Sequence, residues 1–203
     1  MSVTLIDYGL GNIQAFANIY RRLNITVNVA RTADELASAE RIILPGVGAF
    51  DWAMDCLEAS GMRSCLDDLV LARKRPVIGV CVGMQMMALR SDEGSRAGLG
   101  WFDAEVKRLP AETTGHPIQL PHMGWNDVHA ANSGLFAGIL EPRYYFLHSY
   151  YFAPHDATNV LASADYHGRF AAAVCKENIF GVQFHPEKSH HWGVQLLKNF
   201  AEI

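Results

Sequence analysis

Through the first half of the chain, short apolar and β-branched runs alternate with stretches of helical periodicity. Residues 3–6 read as a strand running into Asp7, and residues 9–12 as a glycine turn. Ile13, Phe16, Tyr20 and Leu23 then recur on one face of a helix. Residues 25–29 and 41–44 predict two further strands, the second stopped by Pro45-Gly46-Val47-Gly48. Residues 51–59 and 64–73 carry helical patterns. Residues 76–80 form a wholly apolar strand ending at Cys81, and residues 84–89 are helix-forming. Strands alternating with helices predict a parallel sheet covered on both faces. The second half is richer in strands, over 101–109, 144–152, 160–164, 171–176 and 179–184, with Glu177-Asn178 as a hairpin turn. A helix from about His190 closes the chain, with Trp192, Leu196, Leu197 and Phe200 as its apolar stripe. With no repeat and no linker, the pattern predicts one α/β domain over residues 1–203, built on a mixed, mostly parallel open sheet.

Composition narrows the classes. Of 203 residues, 50% are hydrophobic and 19% charged, which is globular and not disordered. Against 21 acidic residues the chain sets 17 basic ones, so no electrostatic footprint for nucleic acid is expected. The longest apolar stretch, residues 76–89, is interrupted by Gln85 and is too short to span a bilayer. No basic n-region precedes residues 3–6, so a secretory leader is not expected. Cys56, Cys65, Cys81 and Cys175 show no C-x-x-C pair. They read as reduced thiols of a cytoplasmic protein with neither metal nor cofactor.

One of those cysteines has a distinctive context. Residues 79–83 read Gly-Val-Cys-Val-Gly between an apolar strand and a helix-forming run, the setting of a nucleophile elbow with Cys81 in the serine position. Small flanking residues permit a strained turn, and the N–H groups of the helix that follows favour thiolate over thiol. A buried core cysteine is the alternative, and Cys56, Cys65 and Cys175 are left with it.

A cysteine nucleophile needs a base, and the base an orienting group. His185 ends the strand Phe180-Gly181-Val182-Gln183-Phe184, and Glu187 follows two residues on, expected on the same side of an extended segment. His190 and His191 fit no zinc spacing and read as surface residues at a helix start. Oxyanion donors are expected from the N–H of Val82, after the nucleophile, and from the Pro45–Gly48 turn at Val47. That turn is no phosphate loop, because no Gly-Lys-Ser/Thr follows.

Together these pieces resemble the class I (triad) glutamine amidotransferases. The finer motifs are similar to one branch, the glutaminase subunits of imidazole glycerol phosphate synthase. They are DYGLGN from Asp7, LPGVGAF from Leu44, CVGMQM from Cys81, GLGW from Gly98, PHMGWN from Pro121, FLHSY from Phe146 and GVQFHPEK from Gly181. The resemblance implies a flavodoxin-like fold and a Cys81–His185–Glu187 triad that hydrolyses L-glutamine through a thioester. It further implies a glutamine pocket at Gly48, Gln85, Glu93, His148, Ser149 and Tyr150. Asn12, Trp125, Tyr145 and Lys188 would face the partner, a (β/α)8-barrel cyclase subunit completing a heterodimer in histidine biosynthesis.

A partner is also expected on chemical grounds. About sixteen residues follow Glu187, in one amphipathic helix, and the pattern offers no second domain to consume ammonia before water protonates it. Three other readings stay open. Residues 12–16 and 188–192 are similar to paralogues that supply ammonia for amidine formation on a bacterial surface-polysaccharide sugar. A stand-alone cysteine hydrolase, such as a γ-glutamyl hydrolase, could use the same scaffold. A catalytically silent docking subunit is the non-enzymatic alternative, against which the intact Cys81, His185 and Glu187 speak.

Overall fold

The computed structural model describes residues 1–113 and 116–203. Its first half follows the alternation: β1 (Ser2–Ile6), α1 (Ile13–Arg22), β2 (Thr26–Ala30), α2 (Ala33–Leu36), β3 (Ile42–Gly46), α3 (Phe50–Ala59), α4 (Arg63–Asp67) and β4 (Val77–Cys81). A short helix α5 (Val82–Gln85) comes next. The strands after it are β5 (Arg90–Ser91), β6 (Ala104–Arg108), β7 (Glu112–Thr113), β8 (His116–Pro117), β9 (His122–Asp127), β10 (His129–Ala130), β11 (Arg143–His148), β12 (Tyr150–Pro154), β13 (Val160–Asp165), β14 (Arg169–Lys176) and β15 (Ile179–Val182). Helix α6 (His190–Glu202) ends the chain.

One eight-stranded sheet organises the molecule, in the order β10-β13-β14-β15-β4-β3-β1-β2. From β15 to β2 every pairing is parallel; β10, β13 and β14 extend the sheet antiparallel. The central β3, β4 and β15 are buried at every position, as strands covered on both faces must be. Two smaller assemblies, β12-β6-β5 and β11-β9, sit beside it. The expected mixed, mostly parallel α/β architecture is therefore present.

Several expected elements differ, each for a local reason. Residues 144–152 form two strands in different sheets. The break falls at Ser149, whose carbonyl accepts the Leu109 N–H. The expected helix over 84–89 is instead the four-residue α5, because the Met87 and Ala88 N–H groups close tighter three-residue bonds onto the Met84 and Gln85 carbonyls and the Leu89 N–H leaves for the Ala104 carbonyl. The carbonyls of Met86, Met87, Ala88 and Leu89 then accept the N–H groups of Leu99, Phe102, Gly100 and Gly98. The strand expected over 101–109 begins only at Ala104; the Trp101 indole N–H is held by Asp67 at 2.8 Å. The helix over 64–73 starts as α4 and finishes as a π-helical turn, Asp68–Ala72. The strand expected over 179–184 stops at Val182, and Glu187 lies in a 3-10 turn, Pro186–Lys188, not on an extended segment.

Besides the two-residue strands β5, β7, β8 and β10, helix α2 and strand β9 escape the reading of periodicity. Helix α2 is too short to show a period, yet Thr32 caps it: its hydroxyl accepts the Glu35 N–H, and Glu35 returns a carboxylate to the Arg31 N–H at 2.7 Å. Strand β9 alternates in the inverse sense, with His122 buried and Met123 and Trp125 facing out. No helix among the described residues is long and apolar enough to cross a membrane.

Candidate active site

The nucleophile elbow is present at the carboxyl end of β4. Cys81 has φ 55° and ψ −113°, a backbone region that L-residues hold only when their surroundings force it. Close packing supplies the force. A Cβ on Gly83 would run into the Leu44 carbonyl, one on Gly46 into the Gly83 nitrogen, and one on Gly79 would lie 2.6 Å from the Gly83 oxygen. The glycines around Cys81 therefore let three backbone segments touch. The Val82 N–H stands in the first turn of α5, where an amide has no intrahelical acceptor. With only four residues, α5 has little dipole to offer a thiolate, so the electrostatic help expected from a longer helix has to come from elsewhere.

It comes from His185. Strand β15 pairs with β4 in parallel, and the chain beyond it carries His185 into the cleft that Cys81 lines. The other ring nitrogen, Nδ1, lies 2.9 Å from Glu187 Oε1; the two side chains are 4% and 3% exposed. Burial pushes the imidazole toward neutrality, but its interactions with Cys81 and Glu187 outweigh it. They raise the pKa from 6.5 to about 10. The ring is thus set to hold a proton taken from the thiol. Backbone contacts fix its position: the His185 N–H donates to the Tyr145 carbonyl at 2.9 Å, and Ser189 Oγ donates to the His185 carbonyl.

A cleft of about 340 Å³ opens over Cys81, in the size range of small-molecule sites. Every pocket residue expected from the sequence lines it: Gly48, Gln85, Glu93, His148, Ser149 and Tyr150. Both expected oxyanion residues, Val47 and Val82, do so as well. Pro121 and Leu147 were not foreseen, and Lys188, expected only to face a partner, is on the rim. Glu93 has a second attachment, for its Oε2 accepts the Phe50 N–H at the start of α3 at 2.8 Å.

Behind the cleft wall lies a buried polar chain that also went unforeseen. His148 Nδ1 faces the Tyr150 carbonyl at 2.9 Å, and a carbonyl only accepts, so Nδ1 carries the proton. His148 Nε2 then accepts from His122 Nδ1 at 2.9 Å, and His122 Nε2 accepts from the Asn126 amide at 3.3 Å. Burial lowers His122 to about 4 and is the main cause that lowers His148 to about 3. Both rings are neutral near pH 7, as the donor sequence requires.

The residues expected at a partner surface divide. Trp125 and Tyr145 are cross-strand neighbours of β9 and β11, as are Met123 and Leu147. His190 stacks flat on Trp125 at 5.1 Å, and Lys188 Nζ sits 5.8 Å from the centre of the Tyr145 ring. Trp125, Tyr145 and Lys188 thus belong to one patch at the mouth of the cleft. Asn12 is employed at another point, capping α1 by accepting the Ala15 N–H.

A cysteine on an elbow, with a histidine and a buried carboxylate at the carboxyl end of a parallel sheet, is an arrangement for acyl transfer from an amide or ester. The chain belongs to the class-I glutamine amidotransferases, whose family profile it matches over residues 4–203. Solved structures agree on the fold: a protein described only as a glutamine amidotransferase superposes with a TM-score of 0.76 at 18% identity, covering 99% of both chains. A Thermotoga maritima structure described as PurLQS gives 0.69 at 17%, covering 99% of this chain and 97% of that one.

Within the class, the chain falls among the HisH subunits of imidazole glycerol phosphate synthase. It is 57% identical to that subunit of Bdellovibrio bacteriovorus over 203 residues, covering 99% of this chain and 100% of the relative. The Leptospira interrogans subunit is 48% identical with the same coverage, and a Pseudomonas aeruginosa protein named HisH 2 is 44% identical, covering 99% of each. These relatives favour the imidazole glycerol phosphate synthase reading over the sugar-modifying, stand-alone and silent alternatives.

Proposed function

We propose that Cys81, His185 and Glu187 hydrolyse the side-chain amide of L-glutamine, and that the ammonia passes to a cyclase subunit seated over the β9–β11 patch. The observation that carries this reading is the elbow cysteine sharing a cleft of fitting size with a histidine that a buried carboxylate holds at 2.9 Å and whose affinity for a proton is strongly raised.

The Cys81 thiol gives its proton to His185, and the sulfur adds to the amide carbon. The oxygen becomes an oxyanion facing the Val82 and Val47 N–H groups. His185 protonates the departing nitrogen, ammonia leaves, and a γ-glutamyl thioester remains on Cys81. His185, neutral again, takes a proton from water as it attacks; collapse releases glutamate and restores the thiol. Glu187 keeps Nδ1 protonated and turns Nε2 toward the sulfur throughout. Glu93 is placed to receive the substrate α-ammonium, and the amides of the Gly48 turn can approach its other polar groups.

The apolar patch gives the ammonia a destination. Met123 and Trp125 are 61% and 38% exposed on a strand whose His122 and Asn126 face inward, an inversion expected of a surface covered by another protein. Its continuity with the cleft through Leu147 and Lys188 supports docking at the mouth from which ammonia would leave.

Mass spectrometry of the chain treated with an electrophilic glutamine analogue tests the first step. A single adduct on Cys81, absent in Cys81→Ser, is expected. Glutaminase assays with and without the cyclase subunit test the second, with turnover expected to rise on docking. No Cys81 adduct even with the cyclase present would restore the silent-subunit reading, and full turnover indifferent to the cyclase would favour a stand-alone hydrolase.

A further inference from the structure

We propose that Gln183 is a further catalytic residue: its side-chain amide donates a hydrogen bond to the Cys81 sulfur and holds it as thiolate once His185 has taken the proton. This rests on Cys81 being the nucleophile. Gln183 is fully buried, one residue past β15, with Nε2 3.8 Å from Cys81 Sγ. On another side of the sulfur, 3.9 Å away, is the Leu147 carbonyl. A carbonyl can hold only the thiol, through S–H, whereas an amide N–H favours the thiolate, since a donor gains most when its acceptor is charged.

Which end of the Gln183 amide meets the sulfur follows from its neighbours. Tyr150 presents a carbonyl to Gln85 at 3.0 Å, so Gln85 must answer with its NH2 group. That same NH2 group lies 3.0 Å from Gln183, which must therefore present its oxygen there and its nitrogen to Cys81. Turning Gln183 over would set two NH2 groups against each other inside the protein, at the cost of an unsatisfied buried pair. The Tyr150 carbonyl is held in turn by His148, and His148 by His122. The donor aimed at the sulfur is thus the end of a hydrogen-bond sequence whose direction is fixed from the far side of the cleft.

When His185 removes the thiol proton, the contact with Leu147 loses its hydrogen, and the Gln183 N–H remains as an uncharged donor to the anion. When the thioester forms, the sulfur becomes neutral and that bond weakens, so the donor serves the thiolate and not the intermediate. Such help is needed where the helix after the nucleophile has only four residues.

The test is the pH dependence of Cys81 alkylation by iodoacetamide in the full chain, followed by peptide mass spectrometry. Cys65 and Cys175, whose thiols burial pushes up, serve as slow internal references. Gln183→Met keeps the unbranched shape without a donor. It should slow alkylation at neutral pH by about tenfold, in keeping with the loss of a charge-assisted bond, and move the half-maximal point to higher pH. Glutaminase kcat should fall with KM little changed. Should Gln183→Met fail to fold, the native chain still decides, because the Gln183 side-chain amide proton must shift in NMR spectra at the pH where Cys81 becomes reactive. Alkylation within twofold of the unsubstituted chain, or an amide signal indifferent to that transition, would overturn the role of Gln183 alone. A Cys81 that no alkylating agent modifies would overturn the proposed nucleophile with it.

Discussion

The elbow at the ends of β3 and β4 and the ribbon of β9 and β11 lie at the same cleft, yet they are built on opposite rules. At the elbow every residue is buried, glycines bring backbone against backbone, and one non-glycine residue is held at positive φ. On the ribbon the binary pattern is reversed: His122 and Asn126 turn inward while Met123 and Trp125 meet solvent. The elbow is over-determined, as a strained nucleophile requires. The ribbon leaves apolar area unspent, which makes sense if another surface completes it. Chemistry is placed where the fold is tightest, and the proposed delivery of its product where the fold is left open.

The comparison can be broken most sharply at the elbow. Cys81→Ala should abolish glutaminase activity, by on the order of 10⁴-fold or more, with little change in thermal unfolding; retained turnover would remove Cys81 from the reaction. Glu187→Gln should cost roughly 10²–10⁴-fold in kcat, because the amide can present an NH2 group to Nδ1 and invert the tautomer. It should also lower the pH at which His185 loses its proton, visible by NMR, since one of the charges that raise it is gone.

Gly83→Ala tests packing instead of chemistry. With the Leu44 carbonyl in the way, it should destabilise by about 1–3 kcal/mol in denaturant unfolding and depress kcat as the elbow shifts. On the ribbon the opposite signature is expected. Trp125→Ala should weaken cyclase binding by about 10–100-fold in calorimetry while changing stability by less than about 1 kcal/mol. A large stability loss there would mean that the patch belongs to the core.

The smallest effect expected is a pH dependence of stability. His122 and His148 are held near 4 and 3, below the 6.5 of a free imidazole, so the unfolded chain binds more protons over that interval. Their contribution is complete above about pH 6.5 and is lost as pH falls through 4. His185 has the opposite sign: raised to about 10, it contributes fully below 6.5, and that contribution is lost as pH rises through 10. Denaturant midpoints measured from pH 4 to 10 should therefore peak near neutrality, and His122→Asn should flatten the acid side.

Much of this was legible before any fold was considered. The parallel half-sheet follows from apolar runs alternating with helices, and Cys81 from glycines two residues away on either side. The interior of the cleft was not. Periodicity places His185 at a strand end but cannot tell that Glu187 reaches it through a 3-10 turn. Nor can it tell that the run after Cys81 stops after one helical turn because Ala104, fifteen residues on, takes the Leu89 N–H. The strand from His122 hid for another reason: only Met123 and Trp125 are apolar in it, with Gly124 between them, too little alternation to mark a strand.

The sequence by itself determined which residues can react and where the backbone must be free to bend, because nucleophile, base and glycine are local properties of composition and order. Only tertiary structure decided their electrical state. The charge His185 prefers, the neutrality of His122 and His148, and the end of Gln183 that meets the sulfur all depend on groups far apart in the chain. Hydrogen-bond direction is settled by the partner, and burial brings those partners together.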